Sequence, residues 1–139
     1  MNYKIIGKYI KELKFEIPDP ATFFSLEKNI SNYKINIDIK SKQFKNKIIE
    51  VETTLFLNPT NSNLDKINTK IAYACVVQID ENINDKKILE EIILIKVPDE
   101  IYTEIRSLFV SLFERSGFKK IQIEKKINFR ALYAKRTVQ

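Results

Sequence analysis

The side chains that most often carry out chemistry in proteins are scarce in this sequence. It contains no histidine and a single cysteine, Cys75. The usual pairs of nucleophile and base, and zinc sites built from histidine and cysteine, are therefore excluded. Carboxylate pairs remain at Glu50 with Glu52 and at Glu90 with Glu91, but such neighbours are more often solvated surface groups than a general acid and base. No catalytic residue is predicted.

The glycines and the cysteine also argue against a cofactor. Gly7 and Gly117 lie 110 positions apart, so they cannot form a glycine-rich phosphate loop. Cys75 lies between Ala74 and Val76 with no neighbouring cation that would lower its pKa, and it is expected to be a small buried apolar side chain rather than a reactive thiol. The sequence predicts a protein that is not an enzyme and that uses no cofactor or metal.

One stretch of the chain concentrates positive charge. Residues 117–136, GFKKIQIEKKINFRALYAKR, hold seven lysines or arginines and one glutamate in a chain of formal net charge +6. Lysines neutralise phosphates and aromatic rings such as Phe129 and Tyr133 stack on bases, so the stretch permits a nucleic-acid-binding hypothesis. The alternative is that its lysines are water-exposed residues of connections. They are Lys119, Lys120, Lys125 and Lys126.

Cysteine usage and hydropathy bear on the cellular compartment. One cysteine excludes an intrachain disulfide, and no signal-peptide pattern opens the chain. The longest strongly apolar stretch, residues 88–97, contains Glu90, Glu91 and Lys96 and is far shorter than the roughly 20 residues that span a bilayer. We therefore expect a cytoplasmic protein without membrane insertion.

Alternation of apolar and polar residues predicts four β-strands in the first 80 residues. They fall at residues 4–17, 33–40, 47–57 and 70–80. The first strand is expected to stop at Pro18 and Pro20, because proline cannot donate a backbone hydrogen bond to a neighbouring strand. Residues 21–29, ATFFSLEKN, are expected to be irregular, with Phe23 and Phe24 hard to bury fully.

Helical periodicity replaces alternation in the second half of the chain. Apolar residues recur at spacings of three and four through residues 97–118, and Gly117 suits the end of that helix. A shorter helix is expected over residues 85–96, and a last one begins after Asn128 as its N-cap. Strands followed by helices predict an α+β fold, in which a four-stranded antiparallel sheet has helices packed on one face. A single domain over residues 1–139 is expected.

Four segments resemble the SecB family of bacterial protein-export chaperones, in the same order and spacing. They are YIKELKFEIPDP, AYACVVQI, VPDEIYTEIR and GFKKIQIEKKINFRALY. The resemblance covers nearly the whole chain. It implies a homotetramer, a dimer of dimers, that holds unfolded preproteins in apolar grooves without ATP and delivers them to the SecA motor.

The resemblance also implies roles for individual residues. The client groove would draw on the crossover after the first strand and on the last helix, at Phe23, Phe24, Leu26, Phe129, Leu132 and Tyr133. Contact with SecA would use Glu12 and Glu16 on the exposed sheet face. Cys75 and Val77 match positions of the fourth strand that meet a partner subunit in the family.

The chain departs from the family pattern at several places, and the departures leave alternatives open. Val76, Arg130 and Thr103 replace an acidic residue, an aspartate and a proline of the family, no acidic C-terminal tail is seen, and the chain is basic where family members tend to be acidic. These changes permit a SecB-like chaperone dedicated to one client, such as an antitoxin, instead of export. Nucleic-acid binding is the less favoured alternative.

Overall fold

The secondary structure is given by a computed structural model that describes residues 2–118 and 121–138. One antiparallel sheet has the strand order β1-β4-β3-β2. Its strands are β1 Tyr3–Glu16, β2 Tyr33–Lys45, β3 Ile48–Pro59 and β4 Asn68–Ile79. The helices are α1 Pro20–Asn29, α2 Lys86–Glu91, α3 Val97–Arg115 and α4 Phe129–Val138. The predicted α+β class and four-stranded antiparallel sheet are confirmed.

The two faces of the sheet differ because side chains alternate along each strand. In β3, Val51 and Leu55 are fully buried and belong to the same core as α3, whereas Glu50 and Glu52 lie on the opposite face. We call the face that carries these glutamates the outer face. The apolar stripe predicted for α3 packs on the apolar face of the sheet, and its four residues, spaced four positions apart, are fully buried. The stripe consists of Ile101, Ile105, Phe109 and Phe113.

The expectation that residues 21–29 are irregular is wrong. They form α1, which begins after Asp19, whose side chain accepts a hydrogen bond from the backbone N–H of Thr22 at 2.7 Å. Pro20 occupies the first turn, where its missing N–H has no partner to lose. The signal was present as an N-cap followed by proline, but the short helix buries only Leu26 fully and so lacks a clear apolar stripe.

The two helices predicted before and after residue 97 form one continuous helical segment. A π-helical segment, Ile92–Lys96, connects α2 to α3, and the backbone N–H of Val97 donates to the carbonyl of Ile92. At the other end, α3 stops as predicted: Gly117 has a φ of +94° and the N–H of Phe118 donates to the carbonyl of Phe113 at 2.9 Å. This left-handed C-cap is the conformation that favours glycine.

Three register shifts change where side chains point along the edge strands. In β1, shifts fall between Ile5 and Gly7 and between Ile10 and Glu12. In β2, a shift falls between Gln43 and Lys45. Each shift inserts one extra residue into an edge strand, and such bulges re-aim the side chains beside them.

Candidate functional site

A long groove runs beside β2. Three adjoining clefts of about 750, 580 and 370 Å³ follow this strand from its start to Ile39. The first and second clefts share Tyr33, and the second and third share Ile37 and Leu132. We call this depression the β2 groove. One wall is β2, and the other is formed by residues 121–128 and α4.

The backbone of β2 faces the groove as well as its side chains. The strand lies at an edge of the sheet, and the consecutive residues 33–37 all line the second cleft. Because successive side chains of a strand point to opposite faces, a consecutive run along a cleft wall places the open edge of the strand there. Such an edge offers backbone groups with which an extended polypeptide can pair.

The part of the opposite wall formed by residues 121–128 lacks regular secondary structure but is held by α3. The Nε of Arg106 donates to the carbonyl of Ile123 at 3.0 Å, and the hydroxyl of Tyr102 donates to the carbonyl of Glu124 at 2.6 Å. Burial raises the pKa of Tyr102, so its hydroxyl remains a donor well above neutral pH. These two bonds hold residues 121–128 across from β2.

The start of α4 is fixed by a cap and by an aromatic contact. Asn128 is the predicted N-cap, and its Oδ1 accepts a hydrogen bond from the backbone N–H of Ala131 at 3.0 Å. Phe129 is buried, and its ring meets that of Tyr102 edge-on with centroids 5.9 Å apart. Phe129 therefore anchors α4 instead of presenting a ring at the surface.

Two polar contacts tie α4 to α2. Arg130 pairs with Glu91 at 2.9 Å, and the hydroxyl of Tyr133 donates to Glu90 at 2.7 Å. The hydrogen bond from Arg130 holds the pKa of Glu91 below its ordinary value, while the bond to Glu90 raises the pKa of Tyr133. Exposed pairs of this kind contribute little stability each. Beyond the buried Phe129, α4 is thus held against α2 by polar contacts that water can replace.

The predicted groove residues of α4 lie in two different environments, the groove surface and the core. Leu132, 39% exposed, and Tyr133 line the β2 groove. Phe129 lies behind them in the core. Because its ring is buried, Phe129 cannot stack on a base, and this removes one support of the nucleic-acid hypothesis. Lys119 and Lys120 lie outside the described residues.

The predicted groove residues of α1 do not line the β2 groove. Phe24 is 63% exposed, Phe23 packs on Phe118 with ring centroids 5.0 Å apart, and Leu26 is buried in the core. The groove reaches α1 only at its C-terminal end, near Glu27. Phe24 is the member of this set with the most accessible surface. A role for the three in client binding stays a prediction.

Several apolar groove residues were not singled out from the sequence. Ile35 and Ile37 line the groove from β2, and Ile121 and Ile127 line it from the opposite wall. The alternation in residues 33–40 marks the two β2 residues as one face of a strand. Only the strand order shows that β2 is an edge strand, so that these side chains remain partly accessible.

The two glutamates expected to contact SecA lie on the outer face of β1. Glu12 pairs with Lys70 of β4 at 2.7 Å, and Glu16 accepts a hydrogen bond from the Nδ2 of Asn68 at 3.1 Å. The hydrogen bond from Lys70 lowers the pKa of Glu12. A partner that binds Glu12 must therefore compete with Lys70.

Cys75 and Val77 face the interior of their own chain. Both side chains are fully buried, and burial raises the pKa of Cys75 to about 11. The expected burial of the cysteine is confirmed. Neither side chain offers surface to a second subunit, so in this conformation they could act at a subunit interface only through the backbone of β4. The expected interface role stays a prediction.

The other edge of the sheet exposes apolar side chains. In β1, four large hydrophobic residues are each between 43% and 47% exposed. They are Ile6, Tyr9, Ile10 and Leu13. Within the described part of the chain, no helix is long and apolar enough to cross a membrane. The exposed apolar strip on an unpaired edge is typical of a protein interface.

The fold and the groove together define a class of protein. A sheet covered by helices on one face, with a long groove that offers apolar side chains beside an open strand edge, is typical of proteins that bind extended polypeptides. The chain belongs to the SecB family, because the family model described as "Preprotein translocase subunit SecB" matches residues 1–139. Members of this family are chaperones and not enzymes.

Two sequence relatives and one solved structure illustrate the similarity. The chain is 45% identical over 135 residues to the "Putative protein-export protein SecB" of Pelagibacter ubique, covering 97% of this chain and 96% of that protein. It is 27% identical over 143 residues to the "Protein-export protein SecB 1" of Gluconobacter oxydans, covering 95% of this chain and 81% of that protein. The solved structure is a SecB-like chaperone of Mycobacterium tuberculosis in complex with an antitoxin peptide, with a TM-score of 0.62, 13% identity, and coverage of 88% of this chain and 90% of that chain. At that identity the structural match supports the fold alone.

Proposed function

We propose that this chain is an ATP-independent chaperone that holds unfolded preproteins in the β2 groove and delivers them for export. The observation that carries the proposal is the groove itself, which combines an open strand edge with apolar side chains from β2 and α4. Backbone pairing does not depend on side-chain identity, so such a groove accepts many extended sequences. Family membership and the names of the relatives support the same function.

Individual side chains act in different ways in this proposal. Leu132 and Tyr133 contact the client directly, because they line the groove. Phe24 extends the apolar surface at α1, where its ring is largely exposed. Phe129 and Leu26 support the groove from the core, and Phe23 joins α1 to Phe118.

The proposal includes two protein contacts besides the client. SecA binds the outer face through Glu12 and Glu16. Its binding requires Lys70 to release the carboxylate of Glu12. Copies of the chain assemble in the cytoplasm into a dimer of dimers, with the exposed side chains of Ile6, Ile10 and Leu13 in β1 as the first contact surface. Cys75 and Val77 lie behind this surface, on the strand that pairs with β1.

The test is suppression of aggregation of an unfolded protein, measured by light scattering without nucleotide. The wild-type chain is expected to suppress it. Leu132→Asp places a charge beside the apolar side chains of Ile37 and Leu94 in the β2 groove. Burial of that charge under a client is costly, so the variant should raise the concentration needed by about tenfold, as a loss of roughly 1.4 kcal/mol in binding would. Gln78→Glu adds a negative charge on the outer face and serves as the matched control. A wild-type chain that leaves aggregation unchanged contradicts the proposal.

A second candidate is a chaperone of the same fold dedicated to one client, such as an antitoxin. The observation that favours it is the similar fold of a SecB-like chaperone that binds an antitoxin peptide. The pairing of Glu12 with Lys70 also weakens the acidic surface expected for SecA. Retention of purified SecA on the immobilised chain separates the two candidates: export predicts retention that Glu12→Gln with Glu16→Gln abolishes, and dedication predicts none.

A further inference from the structure

A separate depression lies on the outer face of the sheet, opposite to the helices. A cleft of about 300 Å³ is lined by Tyr9 of β1 and Phe44 of β2, with Val76 and Glu50 on the central strands between them. We call it the hairpin cleft, because Phe44 lies next to the turn that joins β2 to β3. Phe44 is 69% exposed. Two accessible aromatic rings lining one cleft provide a surface for an apolar side chain.

The β2 bulge places an aromatic ring and a cation together at this cleft. Gln43 pairs with Ile49 and Lys45 pairs with Ile48, so Phe44 is the extra residue of the strand. The Nζ of Lys45 lies 5.2 Å from the centre of the Phe44 ring. A bulge beside a functional surface commonly serves to aim a side chain in this way.

The β1 bulge supplies a cation that pairs with two glutamates of the outer face. Lys11, the extra residue between Ile10 and Glu12, reaches across β4 to Glu50 at 2.7 Å and to Glu52 at 3.0 Å. The hydroxyl of Tyr9 also donates to Glu50. Both glutamates are therefore paired from the β1 side, with the single charge of Lys11 offsetting one of their two negative charges.

The lysines of β2 form no direct ion pair with these glutamates, although the charge of Lys42 contributes to the lowered pKa of Glu50. Lys42 faces Glu50 and Lys40 faces Glu52 in the β2–β3 register, yet neither lysine forms an ion pair with any described residue. Lys42 also lines the hairpin cleft. Lysine at a sheet edge discourages pairing with other strands, but that role does not explain an exposed phenylalanine beside it.

We propose that the hairpin cleft binds an acidic polypeptide segment that carries one large apolar side chain. The apolar side chain lies against Tyr9 and Phe44, and flanking carboxylates pair with Lys42 and Lys45. Charge complementarity selects the acidic partner, because four lysines beside the cleft, Lys11, Lys40, Lys42 and Lys45, outnumber the two glutamates Glu50 and Glu52. The site lies on the face opposite to the helices, so the inference does not depend on the β2 groove.

The test uses a labelled peptide of Asp, Glu and Ser residues with one central Leu, and measures its affinity by fluorescence anisotropy. Lys42→Gln and Phe44→Ser are each expected to weaken binding at least about fivefold, as loss of an interface anchor does. Lys4→Gln, an exposed lysine of β1 on the same outer face but outside both the cleft and the β2 groove, is the matched control and should leave the affinity unchanged. The same peptide with Ser in place of Leu should bind more weakly, and salt should weaken binding of both.

Three outcomes would overturn the proposal. The first is a wild-type chain that does not bind the peptide. The second is equal binding by the wild type and both cleft variants, with circular dichroism showing that all are folded. The third is displacement of the peptide by single-stranded DNA of equal charge at equal concentration, since this would mean attraction of any polyanion and not recognition of a polypeptide.

Discussion

Glu104 shows how single side chains join the edge strand to the helix layer. It accepts hydrogen bonds from Lys8 of β1 at 2.7 Å and from Tyr73 of β4 at 3.0 Å. These bonds lower the pKa of Glu104, with that from Lys8 as the larger cause. Cys75 is the register partner of Lys8 and lies two residues after Tyr73. Polar contacts of α3 thus lie close to the buried thiol.

At this scale we predict that Cys75 is unreactive in the folded chain. With a pKa of about 11 instead of 9.0, the thiolate fraction at pH 8 falls about 100-fold, and burial blocks the reagent as well. Between about pH 9 and 11 the thiol stays protonated in the folded form but loses its proton in the unfolded form. The free energy of unfolding therefore decreases as the pH rises through that window. Iodoacetamide labelling followed by mass spectrometry, with and without denaturant, measures the effect. Equal rates in both conditions at pH 8 would contradict it.

At the scale of elements, α3 and α4 differ in what holds them. The apolar face of α3 is buried in the core. By contrast, α4 depends on the buried Phe129, on the Asn128 cap and on exposed contacts to α2. Elements held by few buried contacts open at lower free-energy cost than the core. The wall of the β2 groove that α4 supplies is therefore the more adaptable one.

The Asn128 cap gives a test of this difference. Asn128→Ala removes the acceptor for the Ala131 N–H and should destabilise α4 by about 1 kcal/mol. Asn128→Asp keeps an acceptor at the helix start and is the control. Hydrogen exchange should accelerate in α4 of the alanine variant and remain unchanged in α3. Acceleration in both helices would show that α4 does not open on its own.

For the whole molecule, the exposed apolar strip of β1 is the main candidate for self-association. An unpaired strand edge with apolar side chains is liable to pair with another chain. The β1 strip and the β2 groove lie at opposite edges of the sheet. Assembly through β1 would therefore leave the groove open to clients.

We predict that the chain is a homotetramer whose mass falls when the β1 strip is charged. Ile10→Lys and Leu13→Lys replace exposed apolar side chains with cations, which should lower the mass in solution because a buried unpaired charge is costly. Gln78→Lys, on the outer face of β4, adds the same charge away from the edge and should not. Light scattering coupled to gel filtration gives the mass. A wild-type monomer, or variants that remain tetrameric, would contradict the prediction.

The elements that could be predicted are those with a local signal. Alternation found all four strands, and a helical stripe found α3 together with its Gly117 end. The same approach missed α1, because a short helix that buries a single residue fully has too weak a pattern. It also separated α2 from α3, because the π-helical segment that joins them has no characteristic sequence.

The candidate site divides in the same way. The sequence determines the membership in the SecB family, the capped α4 with Leu132 and Tyr133, and the alternating apolar residues of β2, since each depends on neighbours along the chain. Only the tertiary structure decides that Phe129 and Leu26 are buried, that Lys70 neutralises Glu12, and that β2 ends the sheet. The physical reason is that burial, pairing and strand order depend on residues far apart in sequence. In a central strand, alternating apolar residues would be fully buried in the core. In the edge strand β2, they form one wall of a groove.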